Sequence, residues 1–225
     1  MEPTLYAIGA GFEAPFPWLK QQAPDWTWLM LPAVLGEGEL SHAALAWILA
    51  FRSEPVTDME GFDATLPGWS WAPGTAAWVE PTSWAMLSLA RLAADRSRQE
   101  AGRRLLLDRQ GKDGGWNYGN PRVLGQELRS VPGPTSWAIR ALVAVGGAPE
   151  VVQAALRFQE VVLKQPGSSS LALVALAADA AGEDPRRYVE ALLPRLGEDG
   201  AAERLDWTAL AIQALDCALR WENHG

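Results

Sequence analysis

Two hydrophobic patterns alternate along the chain. In the first, apolar side chains fall on nearly every face of a helical wheel, as in "LALVALAA" (Leu171–Ala178). A helix that is apolar all round is buried all round. In the second, one stripe is apolar and the rest polar. "RRYVEALLPRL" sets Tyr188, Val189, Leu192, Leu193 and Leu196 on one stripe, "PEVVQAALRFQEVVLKQ" does so with Val152, Ala155, Leu156, Val162 and Leu163, and "SRQEAGRRLLLDRQ" is a shorter case. Such helices lie on a surface with one face buried. The alternation predicts two layers, inner helices surrounded by outer ones. No run has the period-2 alternation of a half-buried strand.

The apolar segments are copies of one another. "VEPTSWAMLSLARLA" (Val79–Ala93) and "VPGPTSWAIRALVAVG" (Val131–Gly146) share Pro-Thr-Ser-Trp-Ala. "EPTLYAIGAG" at Glu2 is a third copy, and weaker ones start at Glu39, Gly167 and Leu205. The aligned hydroxyl residues Thr4, Ser41, Thr82, Thr135, Ser169 and Thr208 are 37, 41, 53, 34 and 39 residues apart. Six units averaging about 41 residues have the size of a helical-hairpin repeat. Proline is tolerated in a first helical turn, and Thr or Ser satisfies one of the N–H groups left over there. Glu2, Glu80 and Asp206 place negative charge at the positive end of the helix dipole. The expected fold is all-α: residues 1–225 as a single domain, an α/α toroid with about six parallel inner helices. The linkers after the first two units, dense in Pro, Gly and Asp, predict short or missing outer helices there.

Between the layers lies "DRQGKDGGWNYG" (Asp108–Gly119). Gly114 and Gly115 give the backbone freedom for a tight reversal. Trp116 is expected to fill the wedge between layers, and Gln110 to bond free N–H groups at the next helix start. Trp26/Trp28 and Trp69/Trp71 copy the Trp-x-aromatic half of this turn without the upstream Gln. Tyr118, Asp113 and Asn117 read as structural parts of the turn.

Gln-x-x-x-Gly-x-Trp at Gln110–Trp116, followed by Thr-Ser-Trp-Ala-x-x-Ala-Leu at Thr135–Leu142, resembles the repeat of squalene–hopene cyclases and protein prenyltransferase β subunits. The resemblance implies an α/α toroid that binds isoprenoid chains in an aromatic-lined central cavity. The sequence also departs from that superfamily. The Asp-x-Asp-Asp acid motif of triterpene cyclases is missing, and Glu80 in "WVEPT" stands at the place of the protonating Asp. The Asp, Cys and His zinc ligands of prenyltransferases have no clear counterpart: Asp216 and Cys217 are adjacent on one helix and point to different faces, His224 is at the end of the chain, and His42 is distant. An Asp-Asp-x-x-Asp magnesium motif is also missing. No metal or other cofactor is expected.

If the inner helices are parallel, their N-termini gather at one mouth. The residues expected to converge there are Tyr6, His42, Trp78, Trp84, Trp137, Asp206 and Trp207 as ligand-binding groups, with Glu80 as the candidate catalytic acid. Competing structural readings stand beside these: core packing for Trp84 and Trp137, helix-dipole pairing for Glu80, capping for Asp206. The function expected is binding of an isoprenoid or other apolar small molecule, with or without cyclase-like chemistry. The alternatives are a non-catalytic scaffold for a protein partner, and a carbohydrate-active toroid using Glu80 and Asp206 as its carboxylate pair.

Net charge is −8, which argues against nucleic acid as a partner. A single cysteine excludes an internal disulfide. The first 20 residues lack the basic region of a signal peptide, and no apolar run approaches the ~18 residues of a membrane span. The expectation is a cytoplasmic protein without a transmembrane segment.

Overall fold

The computed structural model describes residues 38–51, 53–55, 62–72, 74–164, 167–196 and 205–224. Thr4, Tyr6, Trp26 and Trp28, and with them the first predicted unit, lie outside the described residues. Among the described residues there are eight α-helices: α1 (Glu39–Ala50), α2 (Val79–Arg91), α3 (Arg96–Asp108), α4 (Pro132–Ala144), α5 (Pro149–Gln159), α6 (Ser168–Ala180), α7 (Arg186–Leu192) and α8 (Leu205–His224). The all-α class is correct. One departure is a minimal antiparallel hairpin in the long α3–α4 insertion: β1 (Arg122–Val123) pairs with β2 (Gln126–Glu127), Arg122 opposite Glu127. Two-residue strands are too short to leave a period-2 pattern in a sequence.

The two layers exist. Helix α2 packs on α4, α4 on α6 and α6 on α8, while α3 packs on α2, α5 on α4, and α7 on α6 and α8. Helices α2, α4 and α6 are buried on most faces, in α2 at Val79, Pro81, Thr82, Ser83, Trp84, Ala85, Met86, Ser88 and Leu89, whereas α8 is buried on one face only. The inner helices run parallel. The Val79 N–H at the start of α2 donates to the Tyr118 carbonyl in the turn leading to α4 (2.9 Å). At the other end, Trp221 near the end of α8 donates its indole N–H to Asp179 near the end of α6 (2.8 Å). Helices α2, α4 and α6 also stop alike, with a left-handed residue at Ala93 (φ 50°), Gly146 (φ 72°) and Gly182 (φ 77°).

Helix α1 belongs to the outer layer, against the expectation that Ser41 opens an inner helix. Its buried residues Ser41, Ala44, Trp47, Ile48 and Phe51 form one face, whereas His42 and Ala50 are exposed. The turn chemistry agrees. The Trp116 indole N–H donates to the Leu106 carbonyl near the end of outer helix α3 (2.7 Å), and the Trp69 indole donates to Ile48 of α1 (3.0 Å). Helix α1 therefore stands to Trp69 as α3 stands to Trp116.

Both outer stripes end early. After Gln159 and after Leu192 the chain tightens into 3-10 turns, Glu160–Leu163 and Leu193–Arg195. The tighter turn rotates later residues further round. Val162 stays buried, but Leu163 and Leu193, expected on the buried stripes, are exposed.

Candidate functional site

The Gln-Gly-Trp turn is a staple, as expected for Trp116, which is fully buried. Its backbone N–H donates to Thr135 Oγ1 (2.8 Å), and the equivalent Trp69 N–H donates to Thr82 Oγ1 (3.0 Å). The repeated Thr thus binds the preceding Trp turn to the inner helix it opens. Gln110 differs from its expected role. Its side-chain amide donates to the carbonyls of Gly114 (2.8 Å) and Val151 in the first turn of α5 (3.3 Å), so it joins one outer helix to the next and does not cap N–H groups. Gly114 (φ 90°) lies where a Cβ would come within 2.9 Å of the Ala154 carbonyl oxygen, so this approach to α5 requires glycine. Asp113 accepts from the Ser130 hydroxyl (2.5 Å) and Asn117 bridges Gly119 and Asn120; both are structural.

The common stops set a register for the inner helices. Counted back from Ala93, Gly146 and Gly182, Trp84, Trp137 and Leu173 are equivalent. Thr135 then matches Leu171, two residues from the Ser169 expected from the hydroxyl pattern. In this register one helical stripe at i, i+4, i+7 reads Glu80–Trp84–Leu87 in α2, Gly133–Trp137–Arg140 in α4 and Ser169–Leu173–Leu176 in α6. A Cβ placed on Gly133 would meet Leu173 at 3.9 Å, so the stripes face the same space.

An aromatic wall occupies the middle of that stripe. Trp84 and Trp137 meet edge to face with ring centroids 5.9 Å apart, and Trp71 meets Trp84 likewise at 5.1 Å. Trp84 is 6% and Trp137 8% exposed, and both belong to one buried apolar cluster with Trp69, Ala85 and Leu89. Trp71 is an addition that sequence reasoning missed as a site residue, although the repeated Trp-x-aromatic pair pointed to it. The Arg140 guanidinium lies over the Trp137 ring at 4.7 Å.

Glu80 stands one turn before Trp84, on the same face. Its carboxyl is half-buried, and among the described residues no hydrogen bond or ion pair holds it. Loss of solvation pushes its pKa up from 4.5 to about 7.

The remaining candidates are less closely grouped. Trp78 precedes α2 with its ring against Gly119, where a Cβ would lie 2.8 Å from it, and is not part of the aromatic wall. His42 is exposed, its Nδ1 paired with the Gly38 carbonyl of its own helix start at 2.8 Å. Asp206 and Trp207 fall in the first turn of α8, and their side chains lie outside the described residues. Tyr6 also lies outside them.

The far ends of the inner helices carry a polar cluster. Arg220 bonds Asp216 and lies 3.0 Å from Cys217 Sγ and 3.3 Å from Asp179 Oδ2. Burial pushes the Cys217 thiol up to about 11. Among the described residues no group of three or more His, Cys, Asp or Glu side chains is placed to hold a metal ion.

Among the described residues no helix is long and apolar enough to cross a membrane. Compared with models of known protein families the chain matches none, and a search of curated proteins finds no match.

Proposed function

We propose that the parallel inner helices close into an α/α toroid of the terpenoid cyclase and prenyltransferase type. Its interior takes an isoprenoid-like or other apolar ligand against Trp71, Trp84 and Trp137, with Glu80 at the mouth formed by the inner-helix N-termini. The observation that carries this reading is Glu80. A carboxylate serving only its helix dipole belongs in solvent, where it stays ionised. This one is desolvated, unpaired among the described residues and on the same face as the aromatic wall. Solvent still reaches part of it, as expected of a group lining a concavity. A carboxyl with a pKa of about 7 is half protonated at neutral pH, suited to donating or accepting a proton at a ligand oxygen. It is far too weak an acid to protonate an isolated alkene. The supported chemistry is therefore hydrogen bonding or proton transfer at oxygen, not cyclase-type initiation.

Titration with farnesol, followed by tryptophan fluorescence, tests this. A saturable change is expected, because the ligand would touch the tryptophan wall. Glu80→Gln should keep binding and abolish any turnover. No fluorescence change up to the solubility limit of farnesol would refute the cavity reading.

A protein-interaction scaffold is the second reading. One observation favours it: Ile212 and Leu219 are 60% and 56% exposed on the outer face of α8.

A further inference from the structure

We infer that Arg140 receives the carboxylate of the ligand, which makes that ligand a monoanionic amphiphile with an apolar body lying along the tryptophan wall. The inference rests on the interior cavity proposed above and names the class of molecule it admits. Three observations support it.

The first is the repeat. Arg140 occupies the stripe position that is Leu87 in α2 and Leu176 in α6. Leu176 is buried and Leu87 packs against the core, so the fold is satisfied by an apolar residue there. Replacing one leucine of the set by a cation has no packing rationale. The second is the state of the guanidinium. It stacks on Trp137, and among the described residues its five N–H groups have neither a hydrogen bond nor an ion pair. Burial lowers its pKa, while Cys217 and Asp179 pull the other way, yet solvent still reaches part of the side chain. Guanidinium presents a planar fork that matches carboxylate geometry. The third is position. Arg140 lies seven residues beyond Gly133, the equivalent of Glu80. At 1.5 Å per residue that is about 10 Å further along the inner helices, past the tryptophans. The stripe therefore reads acid, aromatic wall, cation.

The surroundings limit the charge of the head group. The neighbouring cation, Arg220, is committed to Asp216 and Asp179. Asp179 is also close enough to Arg140 to act on it electrostatically. Arg220 already pairs with Asp179 and Asp216, so the one guanidinium of Arg140 can receive a single negative charge and no more. A diphosphate would meet too little positive charge and the repulsion of Asp179.

Three probes of one chain length test the inference: dodecanoate, dodecanol and dodecylammonium, each titrated at pH 8 by tryptophan fluorescence. Wild-type protein is expected to bind dodecanoate at least about tenfold more tightly than dodecanol, and dodecylammonium no more tightly than dodecanol. Arg140→Gln should remove the preference for dodecanoate and leave dodecanol binding unchanged. Equal affinity of wild type for dodecanoate and dodecanol would overturn the carboxylate site and leave the cavity reading standing. A preference for dodecylammonium, or a dodecanoate preference that survives in Arg140→Gln, would also overturn it. Binding of none of the three would overturn both the site and the cavity. The wild-type comparison decides the matter even if the glutamine variant fails to fold.

Discussion

Thr135 Oγ1 accepts the backbone N–H of Trp116 at 2.8 Å and passes its own hydrogen to the Val131 carbonyl at 2.8 Å. This hydroxyl links the Trp turn to the inner helix that the Thr opens. Thr82 and Trp69 repeat the arrangement one unit earlier. Thr135→Val keeps the shape and leaves the buried Trp116 N–H without an acceptor. The expected cost is about 1–3 kcal/mol, measured by urea unfolding. An unchanged midpoint would mean that the hydroxyl holds nothing.

Trp116 is fully buried, and its indole N–H is satisfied by Leu106. Trp116→Ala should destabilise the protein by roughly 3–5 kcal/mol, as for other buried aromatics. Trp69→Ala should cost a similar amount, because Trp69 is equally buried and makes the equivalent bond. A melting temperature unaffected by either change would contradict the staple role.

Glu80 predicts a pH dependence with a definite sign. Its pKa is near 4.5 in the unfolded chain and about 7 in the fold, so the native state holds the proton more tightly. Its burial costs nothing below pH 4.5, and the penalty grows as pH rises through the window to about 7. At pH 8 the loss is of order 2–3 kcal/mol. Glu80→Gln removes it, so the variant should gain stability over wild type between pH 4.5 and 8. Thermal melts of both proteins across this range check the prediction. A difference that does not change with pH would show that the carboxyl is not desolvated.

Two left-handed residues store strain that substitution should relieve. Ala93 (φ 50°) occupies the stop position where Gly146 and Gly182 serve α4 and α6. Ala93→Gly should stabilise the protein by roughly 0.5–1 kcal/mol. Leu124 (φ 49°) and Gly125 (φ 75°) form the tip of the β1–β2 hairpin, and Leu124 is 93% exposed. Both φ values are positive, as in the turn that prefers Asn-Gly. Leu124→Asn should raise stability by a similar amount in thermal unfolding. A loss of stability in both variants would contradict the strain argument.

Much of this was legible along the chain. Apolar periodicity placed the helices from α2 onward, because burial of a face leaves its trace every three to four residues. The shared Pro-Thr-Ser-Trp-Ala marked the starts of α2 and α4, and the Gln-Gly-Trp spacing marked a buried Trp116. These features are local, written in residues within one or two turns of each other. The layer to which α1 belongs was not local. "HAALAWILAF" is apolar enough for either layer, and its place follows from the Trp69 indole reaching Ile48 across 21 residues. The partner of Gln110 was decided in the same way, by the arrival of α5 and the Val151 carbonyl. Arg140 stands three residues after Trp137 on α4, so their stacking is local, whereas its nearness to Asp179 follows from the packing of α4 on α6. Glu80 was visible as a helix-start acid. The rise in its pKa came from desolvation by surrounding elements, which no spacing within α2 encodes. Sequence determined which segments coil and which faces must be buried, because those depend on near neighbours. Tertiary structure decided which groups meet and how dry they are, because that depends on segments distant along the chain.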